Sequence, residues 1–524
     1  MRRVCLAYTI VLCFGRSTLP PLGDRPISLY LASYHSFLDV PDVAALDVWY
    51  CLIYVTVVRL TAGKQRNCGA LTDIERTYNT DAQVGESSAC ATALLCGVKA
   101  NYETVGLDSS ARFEDCYSSF EARVPSLINW AQDQGKSTGL VTTTRVTHAT
   151  PAALYAHAAS RYWEDDGKVP PAARTSCKDI ARQLLEDEPG RNITVVLGGG
   201  RRHFVPKVTL DPEEPDKEGR RLDGRNLIEE WSRNHRRKNI PAKYVFNKEQ
   251  FENVDPRKVN RLLGLFAYSH MDFDVDRNTN DTGDPSLAEM TIKALRILAN
   301  NPEGYFLFVE GGRIDHAHHY NNAYRALDET LALEEAVQAV MKEVDLTETL
   351  LVVTADHSHV LTLGGLATHR GNPIFGESTY IFLSSTAGVP RAWATHGGED
   401  VPVFAVGPLA SILFSGSIDQ SYIPHAIAYA ACLAHHASRC SRDPAGGNAS
   451  DTMSSAPISC PSAEPNSAAI SSDVMNGHQA RNQPTKSASP RCSSIAPLLP
   501  LLLLLMLMMP PVLPILRYPL ERTS

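Results

Sequence analysis

The chain contains no Cys-x-x-Cys pair, and its twelve cysteines are scattered over 524 residues. That argues against a thiolate zinc site and against a small disulfide scaffold. Charge of one sign is also scarce. Fifty Lys+Arg face 58 Asp+Glu, a net charge of −8, with no basic stripe. No nucleic-acid partner is expected from such a balance. No internal repeat is visible, which sets aside repeat architectures. The first 70 residues also lack an apolar run of the ~20 residues needed to cross a bilayer; "DVWYCLIYVTVVRL" is shorter.

What is present at the two ends points to export. "MRRVCLAYTIVLCFG" places two arginines before an apolar stretch, the outline of a signal peptide. Asn192-Ile-Thr, Asn280-Asp-Thr and Asn448-Ala-Ser are glycosylation triplets, consistent with secretion. Cys116 with Cys177, and Cys432 with Cys440, could form bridges in an oxidising compartment. Asp443–Ser494 is rich in Ser, Ala, Pro and Asn and reads as a disordered linker. Beyond it, Ser487-Ala488-Ser489, a short spacer and "APLLPLLLLLMLMMPPVLPIL" follow the pattern of a GPI-anchor signal. Five prolines within Pro497–Leu516 argue against an ordinary spanning helix there. The expected organisation is therefore a signal-like, atypical segment over 1–70, a catalytic region over 71–442, a linker over 443–494 and an anchor-signal tail over 495–524. Such a protein would sit on the extracellular face of the cell membrane.

Between the ends, short β-branched or apolar runs alternate with helical stretches. Thr138–Thr144, Ile193–Leu197, Tyr305–Val309, Leu350–Thr354 and Val401–Val406 read as strands; Ser286–Ala299 and Asn322–Val344 read as helices. The alternation predicts an α/β protein, a three-layer sandwich around a central, largely parallel sheet. In such sheets ligands bind beyond the carboxyl ends of the strands. Three polar motifs fall at those ends: "TRVTHATP", "EGGRIDHAHH" and "ADHSH". Asp315 and His319 are four apart, which puts both on one face of a helix. Asp356 and His357 are adjacent, so both can reach one ion only where a strand has ended. His396 lies just ahead of a buried strand, and His359 is expected to play a supporting role.

Asp and His donors suit zinc, whereas Glu and Thr oxygens suit magnesium. The first set is Asp315, His319, Asp356, His357 and His396; the second is Glu310 and Thr150. Paired zinc ions are a known device for in-line displacement at phosphorus. A nucleophile is offered by Ser87 in "ESSACATALLCGVKAN", where small residues run into a helix. Its backbone N–H groups and dipole would face a phosphoryl adduct.

Over Leu71–Cys440 the chain resembles the animal alkaline phosphatases. The resemblance is carried by "ESSACATALLCGVK", "VTTTRVTHATPAALYAH", "VVLGGGRRHF", "RLDGRNL", "LFVEGGRIDHAHH", "VVTADHSHV" and "THGGEDVPVFAVGP", in the family's order. It implies that Ser87 is phosphorylated during turnover of phosphate monoesters. One zinc would be held by Asp315, His319 and His396, and a second by Asp356 and His357 beside Ser87. Magnesium would sit with Thr150 and Glu310, with His148 nearby. Arg161 in "SRYWEDD" matches the family's phosphate-binding arginine, whose planar fork suits two oxygens. The resemblance also implies a homodimer and the two disulfides Cys116–Cys177 and Cys432–Cys440.

Departures from the family are equally specific. A strand ending in a Gly-Asp-Gly loop, whose Asp bridges zinc and magnesium, is not found; Asp24 in "PLGDRP" follows no strand. Glu86 stands where the family has Asp, and Gly85 and Ser88 differ too. The stretch 365–396, part of the family's surface crown and dimer contact, is shortened. A catalytically inactive relative acting as a membrane-displayed binding protein is therefore the competing expectation.

Overall fold

The computed structural model describes residues 54–59, 71–360 and 393–439. The signal-like segment with Asp24, most of the shortened 365–396 stretch, Cys440, the linker and the anchor-signal tail lie outside them. Twelve strands occur in these residues: β1 Tyr54–Arg59, β2 Leu71–Arg76, β3 Ser137–Arg145, β4 Val195–Gly199, β5 Ala242–Val245, β6 Arg261–Leu265, β7 Tyr305–Glu310, β8 Thr349–Thr354, β9 Ser358–His359, β10 His396–Gly397, β11 Val401–Val406 and β12 Ser417–Asp419. Ten of them form one sheet in the order β12-β2-β11-β8-β1-β7-β3-β4-β6-β5, and β9 pairs with β10 separately.

The block β7-β3-β4-β6-β5 is parallel throughout. Only β1 and β11 run against the prevailing direction, each antiparallel to both neighbours. The expected α/β fold with a largely parallel sheet is thus present. Strand β7 is buried along its whole length, as a strand covered on both faces must be. Phe306 and Phe308 in it are fully buried, each stabilising the fold by about 1.5–3 kcal/mol relative to exposure.

Both expected long helices form, with the predicted outer residues acting as caps. Ser286 caps Leu287–Leu298 in a reciprocal capping box with Glu289. Asn322 caps Ala323–Glu343 by accepting from the Arg325 N–H.

One feature of the sheet was not expected. β1, from the short apolar run near the N-terminus, fills the place between β7 and β8 and runs opposite to both. Its β-branched Val55-Thr56-Val57-Val58 suits a central strand, and Val57 is fully buried. The register sets Tyr54, at the start of β1, opposite Glu310 and Thr354, at the ends of β7 and β8. A strand running this way enters at the functional edge and leaves at the other. The carboxyl end of β1, Arg59, therefore lies at the opposite edge, level with Thr349 at the start of β8.

Among the described residues, Cys116 and Cys177 form a disulfide with Cα atoms 5.9 Å apart, as the resemblance implied. Cys432 is bridged as well; its expected partner, Cys440, lies outside the described residues. No described helix is long and apolar enough to cross a membrane.

Candidate active site

The ends of β3, β7 and β8 open on one edge of the sheet, and the polar motifs meet there. After β7 the chain turns through Gly311-Gly312 into the helix Arg313–His319, which carries Asp315 and His319 on one face. After β8 come Asp356 and His357. His396 is delivered by the short β9–β10 ladder, in register with His359.

Backbone carbonyls set the tautomers of two histidines. His319 Nδ1 donates to Ala394 O at 2.6 Å, and His396 Nδ1 donates to Gly85 O at 2.8 Å. Each ring is left with a lone pair on Nε2, and these two atoms face each other at 3.1 Å. Two such nitrogens repel unless something positive lies between them. Asp315 Oδ1 completes the group at 3.4 Å from His319 and 3.5 Å from His396. His359 Nε2 donates to the same oxygen at 2.5 Å, in the supporting role expected of it. These donors lie within 4.8 Å of one another, and their mixture of imidazole and carboxylate fits zinc. Burial holds His319 below its ordinary pKa and His396 well below it, so both stay neutral. Burial alone would raise Asp315, but the hydrogen bond from His359 and nearby imidazoles keep it well below the carboxylate range.

Asp356 and His357 form the second pair. His357 Nε2 lies 3.1 Å from Asp356 Oδ2 and 3.1 Å from Ser87 Oγ, and its ring stacks on His396 at 3.5 Å between centroids. Burial opposes charge on His357, yet the adjoining Asp356 carboxylate raises its pKa. Gln420 Nε2 holds the Asp356 carbonyl at 2.9 Å, a contact no motif announced. Among the described residues, no third acid, histidine or cysteine joins Asp356 and His357 in a metal-sized group.

Ser87 opens the buried helix Ser87–Cys96, as expected. The free N–H groups expected there are partly taken. Glu86 is the N-cap, its carboxylate accepting from Ser88 N at 2.9 Å and Ala89 N at 3.3 Å. Glu86 also accepts from Glu103 N and pairs with Arg161. Burial would raise its pKa, but Arg161 and these donors hold it below normal. Gly85 has no alternative: a Cβ there would come within 2.4 Å of Thr77 O and 2.5 Å of Cys90 Sγ. Glu86→Ala would strand Arg161 and uncap the helix. It is expected to lower unfolding stability by about 3–5 kcal/mol, measured by denaturant titration.

Glu310, at the end of β7, is buried, and its Oε2 accepts from Thr142 and Thr144. Those hydroxyls come from β3 and were not foreseen. Thr150 lies buried on the short helix Ala149–Ala152, with His148 as its N-cap. Arg161 donates to His148 Nε2 at 3.2 Å. Nδ1 must then carry the proton, and it is buried without a partner. His148 gathers with His270 and His316, ring centroids 4.2 to 5.4 Å apart. Burial pushes Glu310 up to about 8. A cation bound there would have to displace its proton below that pH, so any magnesium affinity of this carboxylate would fall about tenfold per pH unit below 8. Calorimetric titration of metal-free protein across pH 6 to 9 would check this, and a flat profile would contradict it.

Residues 64–386 and 378–433 match the family model described as alkaline phosphatase. The chain is 44% identical to the tissue-nonspecific alkaline phosphatase of Gallus gallus over 409 residues, covering 70% of this chain and 78% of that protein. It is 40% identical to the Homo sapiens tissue-nonspecific isozyme over 446 residues, 75% of this chain and 84% of that one. Among solved structures, the Thermus thermophilus alkaline phosphatase aligns with a TM-score of 0.53 at 25% identity, over 70% of this chain and 83% of that chain.

Proposed function

The chain belongs to the alkaline phosphatase family, and from that premise we propose that it hydrolyses phosphate monoesters through a phosphoserine on Ser87. The observation that carries this is Ser87 Oγ, 3.1 Å from His357, beside the paired Nε2 lone pairs of His319 and His396. Asp315, His319 and His396 would hold one zinc, Asp356 and His357 a second. Glu310 and Thr150 would hold magnesium, with His148 close by. When bound, such ions favour the deprotonated serine and offset charge on the departing oxygen.

The chain's own residues do the rest. Ser87 attacks phosphorus in line with the leaving oxygen, which departs as the alcohol; water then attacks the phosphoserine in line, releasing phosphate and restoring the serine hydroxyl. Arg161, fixed on one side by Glu86, offers its remaining N–H groups to the phosphoryl oxygens, whose charge spreads in the transition state. His359 keeps Asp315 in place through both displacements. We place the activity in residues 71–442, with 443–494 as a tether and 495–524 as the signal for a GPI anchor. The enzyme would then work as a homodimer on the extracellular face of the membrane.

A second reading, a binding protein without turnover, is favoured by one observation: the Asp356–His357 pair lacks a third acidic or imidazole donor among the described residues. Turnover of p-nitrophenyl phosphate with zinc and magnesium, compared with the Ser87→Ala variant, separates the two readings. Equal rates would favour the binding protein.

A further inference from the structure

Arg161 is followed directly by Tyr162, a residue 51% exposed. The Arg161 guanidinium carbon lies 6.0 Å from the centroid of that ring. Phe113, 42% exposed, meets Tyr162 edge-to-face at 6.4 Å with an interplanar angle of 81°. An exposed aromatic pair costs solvation, and a monomeric surface gains little from it unless something covers it.

The pair is also held still. The Tyr162 hydroxyl donates to the Glu103 carboxylate. Arg161 N donates to Glu103 O at 2.9 Å, and Glu114 N donates to Ala159 O at 2.9 Å, tying the backbones on either side. Glu103 N in turn donates to Glu86, the carboxylate that fixes Arg161. The phosphate clamp and the two rings therefore hang on one set of contacts. Rings fixed in advance lose little freedom when another ring packs on them.

We propose that Tyr162 and Phe113 form a platform for an aromatic leaving group, so that aryl phosphates are preferred over alkyl phosphates. The inference rests on the phosphatase reading above, which places the phosphoryl group on Arg161. A phosphoryl group gripped there lies next to the Tyr162 ring, whose centroid is 6.0 Å from the guanidinium carbon. An aryl group on its ester oxygen would pack on that ring at the 4.5–7 Å spacing that aromatic pairs prefer, whereas a glycerol group offers no π-face. The hydroxyl of Tyr162 is occupied by Glu103, so selection comes from the ring and not from a polar contact.

The test compares kcat/KM for 1-naphthyl phosphate and glycerol 2-phosphate. Tyr162→Ala is expected to lower the aryl-to-alkyl ratio by about two- to tenfold, the scale of one aromatic pair. Phe113→Ala lowers it less, and Tyr162→Phe, which keeps the ring, restores it. A ratio unmoved by Tyr162→Ala overturns the proposal, as does an equal loss on both esters, which would mean Tyr162 only steadies Arg161. If the unmodified protein turns over neither ester, the phosphatase reading fails, but the platform can still be judged. Calorimetry with phenylphosphonate and methylphosphonate needs no turnover. Loss of phenyl preference in Tyr162→Ala supports the platform, and an unchanged preference overturns it.

Discussion

Ser87→Ala is expected to reduce turnover of p-nitrophenyl phosphate by on the order of 10⁴-fold, because it removes the atom that forms the covalent intermediate. The substitution deletes one oxygen from a residue only 6% exposed, at the first turn of a helix whose ten residues are all buried. The cavity is small and the cap belongs to Glu86, so folding should survive. Two measurements read the chemistry directly. Protein quenched in acid after mixing with radiolabelled phosphate should retain label on the serine form and none on the alanine form. Metal content should stay equal, since Asp315, His319 and His396 do not depend on Ser87. Label retained on the alanine variant would identify a different nucleophile. Lost metal would mean that the hydroxyl is needed to hold an ion.

Much of this site was legible in the sequence because metal chemistry needs particular atoms at particular spacings. Asp315 and His319 share a helix face, and Asp356 and His357 lie past a strand end, as their spacing required. Strand and helix limits fell within a residue or two, since capping residues such as Ser286 and Asn322 announce themselves. What stayed hidden depended on contacts distant in the chain. That Gly85 O fixes the tautomer of His396 spans 311 residues, and that Thr142 and Thr144 meet Glu310 spans more than 160. Strand β1 escaped for another reason: a short apolar run has no period that reveals its direction, and only pairing with β7 and β8 settles that it runs backwards. Glu86 shows the converse, a visible departure whose consequence, a cap shared with Arg161, was not visible.

Asp315→Ala should have the largest effect on metal content, and comparison with His359→Ala tells a ligand from its support. Among the described residues, Asp315 Oδ1 is the only carboxylate oxygen grouped with the lone pairs of His319 and His396. Without it, only imidazoles remain in the group, and the anionic donor that offsets the dehydration of a divalent ion is gone. One zinc per chain is expected to disappear, with turnover falling on the order of 10³-fold. His359 touches the same oxygen from the other side. Its removal leaves every proposed ligand present but frees Asp315 to rotate, which should weaken zinc about 10- to 100-fold and be overcome by added zinc. Metal analysis after gel filtration, followed by a zinc titration of activity, resolves the two. Full rescue of Asp315→Ala by zinc would show that the ion is held elsewhere. Failure to rescue His359→Ala would make His359 a ligand in its own right, a role its buried and unpartnered Nδ1 leaves geometrically open.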